Sequence, residues 1–356
     1  MQAILFPGQG SQYIGMGSDF YKRFDLVKKI FNSVDKTLGF SLSEIILKDS
    51  DNKLKLTQYT QPAIMTIGVS IFNLLKEEFN LNLNKAKFFA GHSLGEYTAL
   101  VCSGSLSVES AAYLLHERGK AMQDAVAVGE GAMIAVLGMT IDDIEKEINL
   151  LSQNEVCEIA NDNCRGQVVV SGTKKAIDAL NENLKKKNKR GIILPVSAPF
   201  HCSLMKKALE IMKNKIESVE FLPPEPVIIS NVTAEAENSI NRIKPLLVDQ
   251  ITSRVRWRES VDYMIIKGVT NFLKPKPDII SNVTAKEEKD VNKIKPLLVD
   301  QITSKVRWRE SVDYMIKQGV NEFLEIGPGK VLSGLVKKIN KNVKVSNINS
   351  IDDVTK

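Results

Sequence analysis

The chain predicts an α/β protein in which a small β-α-β-β-α-β domain is inserted into a larger one. Three observations carry that expectation. A short apolar run, "QAILF" (2–6), closes on the turn "PGQGSQ". The stretch "AKFFAGHSLGEYTALVCSG" (86–104) reads as strand, tight turn and helix. Between residues 131 and 197, four short strand candidates alternate with two helical stretches.

In chain order, "QAILF" is a buried strand leaving through glycines. Helical periodicity follows over 19–37 and 61–79. After the strand-turn-helix unit, Gly104 is a helix stop, and a further helix over 107–124 opens on Ser107 with Glu109 in its first turn. The inserted region supplies "GAMIAVLGM", "VCEIAN", "GQVVVSG" and "RGIILPV" as strands, with helices over 141–151 and 174–188. That order is ferredoxin-like, so the larger domain is expected over 1–128 and 198–356 and the small one over 129–197.

Composition narrows the function classes. Of 356 residues, 43% are hydrophobic and 25% charged, the balance of a soluble globular protein. No apolar run approaches the ~20 residues of a membrane span. The start "MQAILFPGQG" lacks the basic head and long apolar stretch of a secretory leader, so a cytoplasmic setting is expected. Four cysteines without CxxC spacing indicate neither a metal site nor a disulfide framework. The net charge of +6 comes with lysine runs such as "LKKKNKR", but aromatics are only 6% and do not interleave with the basic residues. Solvated helix faces explain those runs better than nucleic-acid binding does.

The sequence also repeats itself. "KPLLVDQITSRVRWRESVDYMI" at Lys244 returns at Lys295 with one change. Aligning 228–273 with 279–324 at an offset of 51 gives 35 identities in 46 positions. Two units do not make a solenoid. The pattern reads as a tandem duplication, 221–271 and 272–322, inside one domain.

"GHSLG" (91–95) fits G-x-S-x-G, where the glycines permit a sharp strand-to-helix turn that lifts Ser93 into the open beside a helix N-terminus. A serine nucleophile needs a base, and the chain has three histidines. His92 adjoins Ser93 and should point away from its hydroxyl. His116 lies within a helix, as an ordinary partly buried histidine would. His201, in the loop "SAPFHCSLM" leading into a helix, remains by elimination as the base. Arg118 could be a surface ion pair with a neighbouring glutamate, or a guanidinium fork for a substrate carboxylate.

Together "FPGQGSQ", "GHSLGEYTAL", "RGKAMQ", "GQVVVSG", "PFH" and "EIGPGKVLSGL" resemble the malonyl-CoA:acyl carrier protein transacylases, from residue 1 to about 230 and again through the end. The resemblance implies an α/β-hydrolase-like main domain with a ferredoxin-like insertion. It implies malonyl transfer from malonyl-CoA to the phosphopantetheine thiol of acyl carrier protein, for fatty acid biosynthesis, with no bound cofactor or metal. Ser93 would be the nucleophile, His201 its base and Arg118 the anchor of the malonyl carboxylate. The N–H groups of Gln9 and Leu94 would form the oxyanion hole. A glutamine carbonyl would orient the histidine, and that glutamine occurs twice, as Gln250 and Gln301. Phe200 would wall off α-methyl substrates. The partners implied are malonyl-CoA and an acidic carrier protein, suited to the basic surface of a monomer. Two rival readings are a serine thioesterase or esterase and a carrier-binding protein inactivated by the duplication. Because "VNEFL" runs directly into "EIGPG" whereas "VTNFL" runs into "KPKPD", the second copy is expected to form the last sheet strand and Gln301 to face His201, with a hybrid that takes the strand "VIIS" from the first copy and the rest from the second as the next choice. The first copy would then be extruded, exposing Trp257.

Overall fold

Short apolar strands alternate with helices from the N-terminus. β1 (Ala3–Phe6) precedes α1 (Ser18–Arg23), α2 (Asp25–Leu38), α3 (Leu42–Leu47) and α4 (Thr57–Glu77); β2 (Phe88–Gly91), α5 (Gly95–Cys102) and α6 (Val108–Asp124) follow. Next come β3 (Gly131–Leu137), α7 (Ile141–Asn149), β4 (Cys157–Cys164), β5 (Gln167–Thr173), α8 (Lys174–Lys186) and β6 (Arg190–Ile193). The chain continues through α9 (Lys206–Glu217), β7 (Val227–Ile229), β8 (Ala236–Glu237), α10 (Ile240–Asp249) and α11 (Trp257–Ile266). Its last part holds β9 (Ile279–Ile280), β10 (Glu287–Glu288), α12 (Trp308–Lys317), β11 (Glu322–Ile326), α13 (Val331–Ile339) and β12 (Lys344–Ile348). The protein, seen in a computed structural model, is therefore mixed α/β. The structure describes residues 2–127, 129–151, 154–196, 198–269, 279–280, 284–288, 308–326 and 331–348.

Two compact units divide the chain, residues 1–272 and 273–356. In the first, a four-stranded sheet has the order β1-β2-β7-β8, parallel except for β8. All four residues of β2 are buried, as a central parallel strand covered on both faces requires. Helices α2, α4, α5 and α6 pack a core around Phe31, Met65, Phe89, Leu100 and Leu115. The helix expected over 19–37 is broken at Phe24, whose backbone is extended (φ −118°, ψ 121°) between α1 and α2. The helix expected from residue 107 begins at Val108, with the Ser107 hydroxyl accepting the Ser110 N–H at 3.0 Å as its cap. A second, antiparallel sheet has the order β4-β5-β3-β6. One of its faces packs on α8 through Ile134, Val170, Ile177 and Leu180.

Where the described residues cover both copies of the repeated segment, they form matching local elements. β7 and β8 pair antiparallel as Ile228↔Glu237 and Ile229↔Ala236, and β9 and β10 pair as Ile279↔Glu288 and Ile280↔Glu287. Ala234 and its counterpart Ala285 both take left-handed φ, 59° and 55°. α11 and α12 start on equivalent tryptophans. Local sequence alone suffices to specify these pieces.

Which copy fills the first unit's sheet is the reverse of the sequence expectation. β7, from the first copy, pairs with β2, and the segment after α10 is stitched to β4. There Val255 N–H donates to the Ala160 carbonyl at 2.8 Å, and Asp162 N–H donates to the Val255 carbonyl at 2.9 Å. Trp257 is half-buried, not extruded, and packs with Phe88 and Met264. β11, the strand expected to close the main sheet, instead pairs in parallel with β12 within residues 273–356. The reading from the exit of each copy missed these contacts at its entry.

One ion pair makes this assignment testable. Arg258 Nε donates to Asp162 Oδ1 at 3.1 Å, its Nη2 stands 2.7 Å from Oδ2 as an ion pair, and the Asp162 side chain is only 1% exposed. Arg309, the equivalent residue of the second copy, is exposed. Arg258→Ala strands a buried carboxylate and is expected to cost ~2–3 kcal/mol, below the usual range for buried pairs because Arg258 is partly solvated. Arg309→Ala should change stability by less than ~0.5 kcal/mol. Urea melts of both variants check this; equal losses would show that the first copy does not hold the slot.

Candidate active site

Ser93 sits between β2 and α5 with φ 52°, a left-handed backbone that a non-glycine residue adopts only under constraint. The two flanking glycines supply the room. A Cβ on Gly91 would lie 1.9 Å from the Gly95 backbone, and one on Gly95 would lie 2.5 Å from the Phe6 carbonyl oxygen. Asn231, just after β7, clamps the turn: its Oδ1 accepts the Ser93 N–H at 2.6 Å and its Nδ2 donates to the Gly91 carbonyl at 2.7 Å. The serine is thus aimed by sheet and turn rather than by its own side chain.

His201 lies 2.9 Å from the Ser93 hydroxyl through Nε2, and its Nδ1 lies 2.8 Å from the Gln250 carbonyl oxygen. A carbonyl can only accept, so Nδ1 carries the proton and Nε2 is left to accept from Ser93. His201 also has left-handed backbone, φ 59°, and is 5% exposed. Burial, reinforced by the Arg118 charge, pushes its pKa down to about 3 against the pull of the Gln250 carbonyl. The ring is therefore neutral at ordinary pH, the form a base needs.

The expectation that Gln301 supplies this carbonyl is corrected: Gln250 occupies the position, and Gln301 lies outside the described residues. The physical reason is the anchoring of the first copy to β2 and β4 described above. Gln250 is fully buried and its side chain works as well. Nε2 donates to the Ser93 carbonyl at 3.2 Å and to Glu96 at 2.7 Å, while Oε1 accepts from Arg118 at 2.8 Å.

Arg118 is not a surface residue; it is 1% exposed, the largest fully buried side chain among the described residues. Nη1 donates to Gln61 Oε1 at 2.7 Å, and Nη2 donates to Gln250 Oε1 and, at 3.1 Å, to the Ser93 hydroxyl. Its guanidinium carbon stands 5.9 Å from the centre of the Tyr97 ring. The neighbouring Glu117 pairs with Lys215 instead. One guanidinium nitrogen, Nη2, thus reaches the oxygen of Ser93, and the side-chain hydrogen-bond partners of Arg118 are all neutral.

The other predicted residues fall around this centre. His92 turns its Nε2 to Asn163 Oδ1 at 2.9 Å, and its ring lies 5.6 Å from that of Trp257. Gln9, in the loop after β1, joins His92, Asn163 and Trp257 in lining a cleft of about 670 Å³. Leu94 is buried and occupies the position just before the first residue of α5. Phe200 is buried in the main core next to His201. His116 is held by the Gln58 carbonyl at 2.9 Å and its ring packs at a tilt against Phe40 and Tyr59, away from Ser93's partners. All four cysteines are free, and no group of metal-ligating residues occurs among the described residues. No helix there is long and apolar enough to cross a membrane.

Sequence reasoning missed Glu96, Asn231 and Gln61. Glu96 stands in the first turn of α5, where an acidic residue reads as an exposed partner of the helix dipole; it is instead 1% exposed. No local signal separates the two situations.

Residues 4–272 match the acyl transferase domain family. A malonyl CoA-acyl carrier protein transacylase of Bacillus subtilis (strain 168) is 36% identical over 344 residues, 96% of this chain and 91% of that protein. The crystal structure of an acyl-carrier-protein-S-malonyltransferase from Bartonella henselae aligns with TM-score 0.70 and 37% identity, covering 100% of this chain and 98% of that one. A malonyl-transacylase in complex with its type II PKS acyl-carrier protein aligns with TM-score 0.69 and 31% identity, covering 99% and 97%.

Proposed function

The chain belongs to the acyl transferase family of the malonyl-CoA–acyl carrier protein transacylases, and from that premise we propose how its residues carry malonyl from one thiol to another. It is an acyltransferase that moves the malonyl group of malonyl-CoA onto acyl carrier protein for fatty acid synthesis. The observation that carries the residue-level reading is the chain of contacts Gln250 carbonyl–His201–Ser93–Arg118.

In the first half-reaction His201 Nε2 takes the Ser93 proton as the hydroxyl attacks the thioester carbonyl. The carbonyl oxygen becomes an oxyanion, for which the N–H groups of Leu94 and Gln9 are the donors, each worth ~3–4 kcal/mol in such sites. CoA departs as the thiol, taking the proton back from His201. In the second, the phosphopantetheine thiol of the carrier attacks malonyl-Ser93 with His201 again moving the proton, and Ser93 is regenerated. The main-chain carbonyl of Gln250 fills the role that an aspartate fills in many hydrolases. It holds the tautomer without adding a negative charge.

Arg118 grips the malonyl carboxylate, and buried Phe200 crowds the α-carbon, disfavouring methylmalonyl groups. No cofactor takes part. In this reading residues 1–128 and 198–356 form an α/β-hydrolase-like domain and 129–197 a ferredoxin-like one. The first copy of a tandem duplication completes the site, and the second is surplus. The enzyme acts as a cytoplasmic monomer whose basic surface meets the acidic carrier.

Incubation with malonyl-CoA followed by peptide mass mapping tests the proposal. A malonyl adduct on Ser93 that is discharged by carrier protein is the expected outcome. Rapid release of free malonate without carrier would identify a thioesterase, and no reaction at all would identify an inactive carrier-binding protein.

A further inference from the structure

Arg118 is a wholly buried cation whose hydrogen-bond partners, Gln61, Gln250 and Ser93, are all neutral. Among the described residues no carboxylate pairs with it directly. A bare charge in that setting is costly, so its counter-charge has to be sought one bond further on. Glu96 is there. The Gln250 amide bridges the two, its Oε1 accepting from Arg118 at 2.8 Å and its Nε2 donating to Glu96 Oε2 at 2.7 Å. The same Oε2 accepts the Asn231 N–H at 3.1 Å.

Glu96 plays no part in the transfer steps derived above, yet it touches both residues that hold the Ser93 turn. The other charged or titratable groups facing it are few. Arg118 comes from α6, Tyr97 from its own helix, and Glu237 from β8, where it is paired with Arg242 at 2.6 Å. Gln250 and Asn231 are amides. Once a substrate carboxylate binds the guanidinium, one buried cation faces two carboxylates in a buried site. That arrangement is costly unless one of them becomes neutral.

We propose that Glu96 is the charge-compensating residue of the carboxylate pocket: it balances Arg118 while the pocket is empty and takes up one proton when the malonyl carboxylate replaces it. A new O–H bond forms on Glu96 with a proton from solvent, and the proton returns to solvent when the malonyl group leaves. Burial already pushes Glu96 up to about 7 in the empty site, against the lowering effects of Asn231, Gln250 and Arg118, and a second anion nearby pushes it further the same way. The substrate carboxylate, far more acidic, stays ionised on the arginine. Acyl groups without a carboxylate leave Glu96 as it was. The inference rests on the reading of Arg118 as the malonyl anchor.

Calorimetry of the full chain carrying Ser93→Ala, which binds without turning over, provides the test. Binding heats at about pH 7.5 in phosphate and in Tris give the number of protons taken up. Malonyl-CoA is expected to take up at least about half a proton more than acetyl-CoA, which corrects for the CoA phosphates. Adding Glu96→Gln should erase that difference. Equal uptake for the two ligands, or a difference that survives Glu96→Gln, overturns the proposal. Should Glu96→Gln fail to fold, the pH dependence of Kd decides. The malonyl-CoA to acetyl-CoA ratio of Kd should rise up to about tenfold per pH unit above pH ~8, and a flat ratio overturns the proposal. Failure of malonyl-CoA to bind at all would instead remove the reading of Arg118 on which it stands.

Discussion

Ser93→Ala is expected to lower malonyl transfer by at least about 10⁴-fold and to abolish the covalent malonyl adduct, with the fold unchanged. The turn is shaped by Gly91, Gly95 and the Asn231 clamp, none of which uses the serine hydroxyl. Alanine meets the left-handed backbone no worse than serine does, so circular dichroism and melting should match the parent. His201→Asn should fall almost as far, because asparagine tolerates φ near 59° but offers no base. An adduct that persists in Ser93→Ala would place the nucleophile elsewhere. The parent's pH profile follows from the direction of the His201 shift. A depressed pKa keeps the neutral base as pH falls. The loss near pH ~6.5 that an unperturbed histidine would impose on acylation should therefore be missing down to pH ~5.

Arg118→Ala should cut malonyl transfer by about 10²- to 10³-fold while acetyl transfer falls by less than about tenfold. The difference arises because acetyl has no carboxylate to lose. The smaller loss for acetyl remains because Arg118 also steadies the Ser93 hydroxyl and the Gln250 amide. Arg118→Lys should recover only part of the malonyl activity, since an ammonium is a point charge and cannot match two carboxylate oxygens at once. Separate kcat/KM values for the two acyl-CoAs decide the matter. Equal losses would make Arg118 a structural residue.

Two of the three central residues were legible because one is specially spaced and the other rare, and the third through the resemblance. A serine between glycines announces its turn, a chain with three histidines leaves few bases, and the resemblance fixed the arginine. The order of strands and helices over 131–193 was readable from apolar runs and their separations. Two things were not readable. Glu96, Asn231 and Gln61 function through burial, which tertiary packing confers on ordinary polar residues. The choice between Gln250 and Gln301 cannot come from local sequence, since "KPLLVDQITS" is identical around both. It was settled by remote contacts, Ile228 on Phe89 and Arg258 on Asp162. Continuity at the exit of the repeat was a weaker guide than pairing at its entry.

That one chain carries two near-identical stretches, 35 of 46 aligned residues the same, gives time a role in this protein's birth. The first stretch leaves the ribosome 51 residues ahead of the second, a lead of roughly 3–10 s at ordinary elongation rates. Hairpin closure and helix formation take microseconds, so β7, β8 and α11 have ample opportunity to dock on the nascent sheet before any rival exists. A chain unfolded in denaturant and then diluted has no such lead. Both stretches are then present at once, and those refolded molecules can divide between two threadings of one sequence. The history of each molecule, newly made or refolded, would be written in which glutamine ends up behind its histidine.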